Sequence, residues 1–384
     1  MSPRLLIFVG LSLTAMGQTV LFAVLGPLVR DFGFSEFAAG VIISASAVTV
    51  VAVSPLWGRL SDRVGRKPVF LAGVAGFAVF SGLFGAVLLA GMAGWLTGGV
   101  LLGALVLARV VYALAIAGAQ PAAGGYIADT SSASDRAGAM ALVGGAFAIG
   151  SILGPLMAWA FTPLGILFPI FAAAGAGALW AGLIARYMPE PDRTAQGPDT
   201  TRLNATDPRV RALLLGVVCI FTAIAMMQQT LAFYVQDLFE LDAQATSRRA
   251  GLLIGCLAVA NLVAFAVVTA LKPAPGWLLV LGGAVAALGV AVIAASTALP
   301  LLILACVLMG AGFGAFLPGA QSKASLAVGE DQQGAVAGLT AAAMASGYIL
   351  GPAGGTALYT VSATANFVAA GCLVVLGAVL ATRR

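Results

Sequence analysis

The chain has 384 residues, of which 61% are hydrophobic and 9% are charged, and its mean hydropathy is +1.06. A water-soluble globular chain would carry roughly 25% charged residues, so this composition excludes that class and indicates a membrane protein. The net charge of +5 reflects Lys and Arg placed on one side of the apolar segments rather than a basic patch for nucleic acid.

Apolar runs of about 20 residues, each long enough to cross a bilayer, recur along the whole chain. The alternating stretches of ~10 residues that a transmembrane β-barrel needs do not occur. The first run lacks a small-residue cleavage site, so we predict a retained helix and not a signal peptide. Charges and turn residues divide the chain into twelve predicted transmembrane segments, at about 5–28, 38–57, 69–90, 96–120, 138–161, 165–187, 211–236, 249–271, 276–297, 300–325, 334–358 and 363–381.

The distribution of Lys and Arg predicts the orientation of these segments. If the N-terminus is cytoplasmic, all but four of the 19 Lys and Arg residues fall in cytoplasmic segments. Arg30, Arg248 and Arg249 lie outside, and Arg109 lies within segment 4. This asymmetry follows the positive-inside rule, so both termini are predicted to be cytoplasmic.

The loop between segments 2 and 3 has the most specific local pattern, Gly58-Arg-Leu-Ser-Asp62-Arg63-Val-Gly65-Arg66-Lys67. Glycine permits close approach of helices at position 58 and a tight turn at position 65. The carboxylate of this loop could lie at the positive N-terminal end of another helix. The cations of the loop also allow a simpler interpretation, as topology signals alone.

Segments 4 and 5 carry an intramembrane cation and a glycine–proline pattern. In segment 4, Arg109, Tyr112, Ile116 and Gln120 recur at helical spacing, which predicts one shared face. The same segment continues towards Tyr126-Ile-Ala-Asp129. The glycine–proline pattern of segment 5 comprises Gly144-Gly145, Gly150 and Gly154-Pro155.

The two halves of the chain are predicted to be copies joined by a linker. Ser151-Ile-Leu-Gly154-Pro155 in segment 5 matches Tyr348-Ile-Leu-Gly351-Pro352 in segment 11. A polar, proline-rich stretch falls between segments 6 and 7. We therefore predict an N-terminal six-helix bundle (1–187), a cytoplasmic linker (188–210) and a C-terminal six-helix bundle (211–384), the layout of a secondary transporter with its substrate site near the midplane. The repeated glycines also fit close helix packing alone.

Uncharged polar side chains within the segments are candidates for the cavity. They are Thr14 and Gln18 in segment 1, Gln228, Gln229, Thr230 and Tyr234 in segment 7, and Asn261 in segment 8. Such groups are poor lipid contacts, so they are expected to point inward, where they would contact substrate or form hydrogen bonds between helices. With 20 Phe and 5 Trp residues, a partly apolar pocket for an amphipathic organic molecule is expected.

The loop after segment 2 resembles the signature of the major facilitator superfamily at every defined position. Segments 4 and 5 are similar to those of drug and metabolite:proton antiporters, including the tetracycline-efflux type. The resemblance implies an all-α membrane fold of twelve helices in two pseudo-symmetric six-helix bundles that work by alternating access. It also implies that the loop stabilises the outward-facing state, with Asp62 at the N-terminus of segment 11 and Arg66 paired with Asp129. In such antiporters the arginine equivalent to Arg109 faces the cavity.

The acid expected next to such an arginine is not evident. Some tetracycline-type relatives carry a carboxylate in helix 1, where this chain has Thr14 and Gln18. The chain has no His, and all 14 carboxylates fall in loops or at helix ends. Asp31 is the best available candidate to interact with Arg109. The alternative is that Arg109 bonds to helix carbonyls and to Gln18 or Gln120, tying segments 1 and 4 together.

These observations predict a secondary active transporter that exports a small amphipathic organic compound in exchange for protons. The alternative is uptake of a sugar, organic anion or other nutrient by symport or facilitated diffusion. An enzyme is disfavoured, because the chain has no His, no Gly-x-Ser-x-Gly and no intramembrane Asp pair. The four Cys lie singly in different segments, so neither a metal nor a cofactor is expected. The expected partners are the small-molecule substrate, protons and the lipid bilayer, with no nucleic acid, for a monomer in a bacterial-type inner membrane.

Overall fold

A computed structural model describes residues 2–131, 136–191, 203–329 and 332–383. Within these ranges the chain is helical and has no strands. One 3-10 turn, Thr162–Leu164, separates the sixth and seventh helices. The α-helices are α1 (Pro3–Asp31), α2 (Glu36–Val64), α3 (Arg66–Met92), α4 (Gly98–Ile116), α5 (Ala119–Thr130), α6 (Arg136–Phe161), α7 (Phe168–Tyr187), α8 (Arg211–Phe239), α9 (Ala243–Leu271), α10 (Pro275–Ala295), α11 (Leu299–Leu326), α12 (Gln333–Val361) and α13 (Ala363–Thr382).

The described helices include 12 candidate membrane spans, in agreement with the twelve predicted segments. The helices α4 and α5 together form the fourth span, Gly98–Thr130. The predicted all-α fold with twelve transmembrane helices is therefore confirmed.

The predicted end of segment 4 at residue 120 is wrong, because the span continues through α5 to Thr130. The stretch after Pro121 is weakly hydrophobic, but tertiary packing buries Ala122, Ala123 and Ile127 in a core. Pro121 has no N–H to donate to the carbonyl of residue 117, where the helix is interrupted. That carbonyl instead accepts a hydrogen bond from Ser54 Oγ at 3.3 Å.

The predicted start of segment 8 at residue 249 is also wrong, because α9 begins at Ala243. Asp242 Oδ1 accepts a hydrogen bond from the backbone N–H of Ala245 at 2.7 Å, as an N-cap residue does. Arg248, expected before segment 8, and Arg249, expected as its first residue, therefore lie within the second turn of this helix.

The described chain divides into two compact units. Unit 1 comprises residues 2–131, 136–191 and 241–252, and unit 2 comprises residues 203–240, 253–329 and 332–383. In unit 1, α1 packs on α6 and α3 packs on α7. In unit 2, α8 packs on α12 and α10 packs on α13. These pairs join equivalent helices of the two halves, as an internal repeat requires.

The matching glycines of the repeat make matching contacts. A Cβ at Gly154 of α6 would lie 2.5 Å from the carbonyl oxygen of Met16 on α1. A Cβ at Gly351 of α12 would lie 2.7 Å from the carbonyl oxygen of Thr222 on α8. In each unit, glycine thus permits the backbones of the equivalent helix pair to touch.

Candidate functional site

Unit 1 contains a cavity of about 100 Å³ between α1, α2, α6 and the junction of α4 with α5. Its polar lining consists of Thr14, Gln18, Ser54 and Gln120. Its apolar lining includes Leu11, Val50, Ile116, Val143 and Phe147. The structure therefore brings together the candidates predicted on segment 1 and two of those predicted on segment 4.

Within this cavity the hydroxyls and the carboxamides differ in their hydrogen bonding. Thr14 Oγ1 donates to the carbonyl of Leu11 at 2.8 Å, and Ser54 Oγ donates to the carbonyl of Val50 at 2.7 Å. Neither Gln18 nor Gln120 has a hydrogen-bond partner in the described part of the chain. The two carboxamides are therefore available to a ligand.

Arg109 and Tyr112 do not line this cavity. The side chain of Arg109 is only 4% exposed, and its Nη2 donates to Ser46 Oγ on α2 at 3.1 Å. Its guanidinium carbon lies 4.3 Å from the centroid of the Tyr112 ring and 5.6 Å from that of Phe84. The Nε of Arg109 and the hydroxyl of Tyr112 have no hydrogen-bond partner among the described residues.

The side chain of Arg109 therefore contacts other residues than those expected from the sequence. Ser46 takes the place expected of Gln18 or Gln120, and the contacts described for Arg109 include no carboxylate. The physical reason is the interruption between α4 and α5, which ends the continuous helical face that was predicted from Arg109 to Gln120.

Asp31 lies at the end of α1 and is exposed. Its neighbour Arg30 forms an ion pair with Glu36 at 2.6 Å across the turn to α2. The carboxylate that interacts electrostatically with Asp31 is Asp242, directly before α9. Asp31 thus belongs to a charged group of residues at the helix ends and has no described contact with Arg109.

In unit 2, Gln228 and Gln229 lie in the middle of α8. The side chain of Gln229 is 0% exposed, and neither polar atom of its amide has a partner among the described residues. The Oε1 of Gln228 is likewise buried without a described partner. These amides therefore retain hydrogen-bonding capacity within the membrane region.

Other polar candidates of unit 2 are used in helix packing. Tyr234 on α8 donates to the carbonyl of Ser296 at 2.9 Å, beyond the end of α10. Thr230 accepts a hydrogen bond from Asn366 Nδ2 at 2.9 Å, which joins α8 to α13. Asn261 on α9 is partly exposed. For Tyr234 and Thr230 the interhelical role considered from the sequence is the one observed.

The predicted end of segment 2 at residue 57 is wrong, because α2 continues to Val64 and α3 begins at Arg66. The tight turn predicted at Gly65 is found between these two helices. Gly65 connects the two helices with a φ of +118°, in the region that favours glycine. Arg66 Nε donates to Asp129 Oδ2 on α5 at 2.8 Å, and the same guanidinium pairs with Asp62. The Asp62 side chain is 61% exposed, so it keeps hydrogen-bonding capacity for a further partner.

Gly58 and Arg63 belong to the same sequence motif, and both lie in α2. A Cβ at Gly58 would lie 3.9 Å from Pro121 Cβ, an ordinary van der Waals distance, so the close helix approach expected at Gly58 does not occur within unit 1. Arg63 is exposed at the end of α2.

Glu190 is a contact residue of this loop that the sequence did not reveal. The N-cap position of α3 is Gly65, which has no side chain to cap the helix. Glu190 supplies the cap from beyond α7, because its Oε1 accepts from the backbone N–H of Arg66 at 2.6 Å and its Oε2 accepts from that of Lys67 at 3.0 Å. The one feature of the sequence that could have indicated this role is the position of Glu190 between two prolines directly after segment 6.

The glycine–proline pattern of α6 contacts two helices. Gly150 faces α1 near Ala15, in addition to the contact of Gly154 described above. On the other side, a Cβ at Gly251 of α9 would lie 2.6 Å from the carbonyl oxygen of Pro155. Gln244 Nε2 also donates to the carbonyl of Thr162 at 2.8 Å. Gly251 and Gln244 were not predicted, because nothing in their local sequence indicates this tertiary contact.

The end of the linker is held by charged side chains next to α8. Hydrogen bonds from Arg209 lower the pKa of Asp207 to about 2. Arg209 Nη2 also donates to Gln332 Oε1 at 3.1 Å, at the N-cap of α12. Pro352, which follows Gly351, lies inside that same helix and is buried.

Comparison with known proteins gives a consistent result. The family model of the Major Facilitator Superfamily matches residues 7–352. The tetracycline resistance protein, class C, of Escherichia coli is 29% identical over 377 residues, which cover 92% of this chain and 88% of that protein. Multidrug resistance protein 1 of Bacillus subtilis (strain 168) is 24% identical over 194 residues, covering 50% of this chain and 47% of that protein.

Solved structures share the fold at low sequence identity. A bacterial homologue of the human lysosomal transporter Spinster, in an inward-facing and occupied conformation, matches with a TM-score of 0.77 and 16% identity over 98% of this chain and 94% of that one. The nucleoside transporter NupG matches with a TM-score of 0.76 and 14% identity, over 99% and 98% of the two chains. Family match, helix count and fold agree with the resemblance inferred from the loop after α2. The chain therefore belongs to the major facilitator superfamily and is a multi-pass membrane transporter of small-molecule substrates.

Proposed function

We propose that this transporter exports a small amphipathic organic compound in exchange for protons, by alternating access. The observation that carries the proposal is the unit 1 cavity, where two unpartnered carboxamides lie beside aliphatic and aromatic side chains. Pockets of this composition suit an organic molecule with one polar end. The similarity to tetracycline and multidrug resistance proteins supports the export direction.

We assign the polar residues to two groups by the contacts they make. Thr14, Gln18 and Gln120 would contact substrate in unit 1, and Gln228 and Gln229 would do so in unit 2. The amides of the four glutamines have no described partners, so a ligand could satisfy them. Arg109 and Tyr112 would instead shape the wall of unit 1 from behind the cavity.

The loop between α2 and α3 would act as the cytoplasmic gate. Arg66 joins the loop to Asp129, and the exposed Asp62 carboxylate remains able to bind the N-terminus of α12 in one of the two states. Helix-terminus interactions contribute ~0.3–1 kcal/mol, and up to ~2 kcal/mol when partly buried. Such energies suffice because two transport states need differ by only a few kcal/mol.

The proposed location is a bacterial-type inner membrane, with both termini in the cytoplasm and the protein acting as a monomer. The concentration of Lys and Arg in alternate loops supports this orientation.

A second candidate function is uptake or facilitated diffusion of a nutrient. The observation that favours it is that the described contacts of Arg109 include no carboxylate, so no acid adjoins the buried cation. One experiment separates the two functions. Purified protein in liposomes is loaded with a radiolabelled candidate compound, and counterflow is measured with and without a pH gradient.

Export in exchange for protons predicts uphill movement of the compound against the direction of proton entry. Equal rates with and without the gradient would favour the facilitator, and movement of compound with the protons would favour the symporter.

A further inference from the structure

The unused hydrogen-bonding groups of the unit 1 cavity are two carboxamides. Gln18 lies on α1 and Gln120 lies in the first turn of α5. Each carboxamide offers two N–H donors and one carbonyl acceptor. The hydroxyls of Thr14 and Ser54 already donate to carbonyls of their own helices. Donation of hydrogen bonds to a polar group in this cavity therefore falls to the two glutamines, while the hydroxyl oxygens can still accept.

The lining of this cavity includes no charged side chain among the residues that the structure describes. Arg109 is buried and does not line the cavity, because its guanidinium contacts Ser46 and two aromatic rings instead. A charged group that binds against the apolar side chains of this cavity would lose part of its hydration without gaining a counter-charge from the described lining, which is unfavourable. An uncharged polar group loses only hydrogen bonds to water, and the amides replace them.

We propose that the substrate is an uncharged amphipathic molecule, whose polar end has adjacent hydrogen-bond donors and acceptors, as a carboxamide does. The polar end binds Gln18 and Gln120, and the apolar body lies against the apolar part of the cavity lining. This inference rests on the proposed transport function, because it identifies the substrate class of the same site.

Three probes with one benzene ring and different head groups test the proposal. They are phenylacetamide, which is neutral, phenylethylamine, which is a cation at pH 7, and phenylacetate, which is an anion. Binding to the full chain in lipid nanodiscs is measured by calorimetry. We expect the Kd of phenylacetamide to be about tenfold lower than that of either charged probe, because an unpaired ion is disfavoured in this lining.

Variants localise the binding to the two amides. Gln18→Leu and Gln120→Leu should each weaken phenylacetamide binding about three- to tenfold, because each removes a hydrogen-bonding partner. Gln321→Leu, on α11 and not among the residues that line this cavity, is the matched control and should leave the Kd unchanged. Gln120→Glu should reverse the preference, so that phenylethylamine becomes the tightest probe.

The results with these probes can contradict the substrate class and the export function separately. Binding of phenylethylamine or phenylacetate as tight as that of phenylacetamide would overturn the proposal, and so would the absence of binding by all three. If phenylacetamide binds as expected but is not exported from proteoliposomes, the substrate class stands and the export function fails. If a permanently charged compound is exported, the export function stands and the substrate class fails.

Discussion

Arg109 is a buried cation with aromatic and hydroxyl neighbours in place of a carboxylate. A cation at the centre of a helix span costs ~2.5–3.5 kcal/mol on insertion scales, so compensating contacts are needed. The faces of the Tyr112 and Phe84 rings and the hydroxyl of Ser46 supply them. These contacts depend on the planar guanidinium, which stacks on rings and forms directed hydrogen bonds.

Replacement of Arg109 by Lys separates the effect of the positive charge from that of the planar guanidinium. We expect Arg109→Lys to fold but to lose most transport, because an ammonium keeps the charge and loses the stacking. The measurements are thermal unfolding in detergent and transport of the exported compound in proteoliposomes. Transport by Arg109→Ala at the wild-type rate would show that Arg109 contributes to neither the site nor the coupling.

Glu190 should act on the gate through Arg66. Removal of an N-cap carboxylate costs roughly 0.5–2 kcal/mol. Glu190→Ala should therefore loosen the first turn of α3 and with it the ion pair between Arg66 and Asp129. We expect slower transport and faster labelling of a cysteine introduced at exposed Arg63, measured with a membrane-impermeant thiol reagent in a background without the native cysteines.

A double-mutant cycle separates this mechanism from general destabilisation. If Glu190 and Asp129 both act through Arg66, Glu190→Ala should add little to the defect of Asp129→Asn. Glu240→Ala, at an exposed glutamate at the end of α8, serves as the matched control for Glu190→Ala. Additive defects in the double mutant would contradict the shared pathway.

The helices could be predicted from sequence because long apolar runs have few alternatives in a membrane. The turn after α2 was predictable from a single residue, because glycine readily adopts the positive φ that Gly65 has there. The extension of α5 was missed because its stability comes from tertiary burial of Ala122 and Ile127, not from local hydropathy.

The site was predictable only in part. Thr14, Gln18 and Gln120 meet at one cavity, but Gln120 does so without Arg109 and Tyr112, with which it was predicted to share a helical face. Ser46 and Glu190 could not be assigned, because each acts on a residue distant in sequence and neither belongs to a recognisable local pattern.

The equivalent glycines of α6 and α12 give a prediction for helix packing. Gly154→Val and Gly351→Val should both destabilise the protein by ~1–3 kcal/mol, because the added side chain meets the backbone of the neighbouring helix. Gly144→Val is the control on the same helix as Gly154, since a Cβ there meets nothing within 4 Å. Thermal unfolding of the three variants in one detergent is the measurement. A control that unfolds as early as the other two would remove the packing explanation.

At the scale of the whole molecule, two equivalent six-helix halves provide the symmetry that alternating access uses. In each half the first helix packs on the fifth span through glycine, and the third span packs on the sixth. Such close packing is expected to keep the helices of each half together during the proposed transport cycle.

Proton coupling requires an acid whose protonation changes during that cycle. Asp31 ends α1, a helix that also lines the unit 1 cavity, and its carboxylate interacts with that of Asp242. We expect Asp31→Asn to keep substrate binding and to abolish the dependence of export on the pH gradient, because the amide cannot take up or release a proton. The measurement is export from proteoliposomes at several imposed gradients, with a protonophore added as the control that removes the gradient from wild-type protein. Export by Asp31→Asn that still follows the gradient would place the coupling acid elsewhere, and wild-type export that ignores the gradient would favour facilitated diffusion.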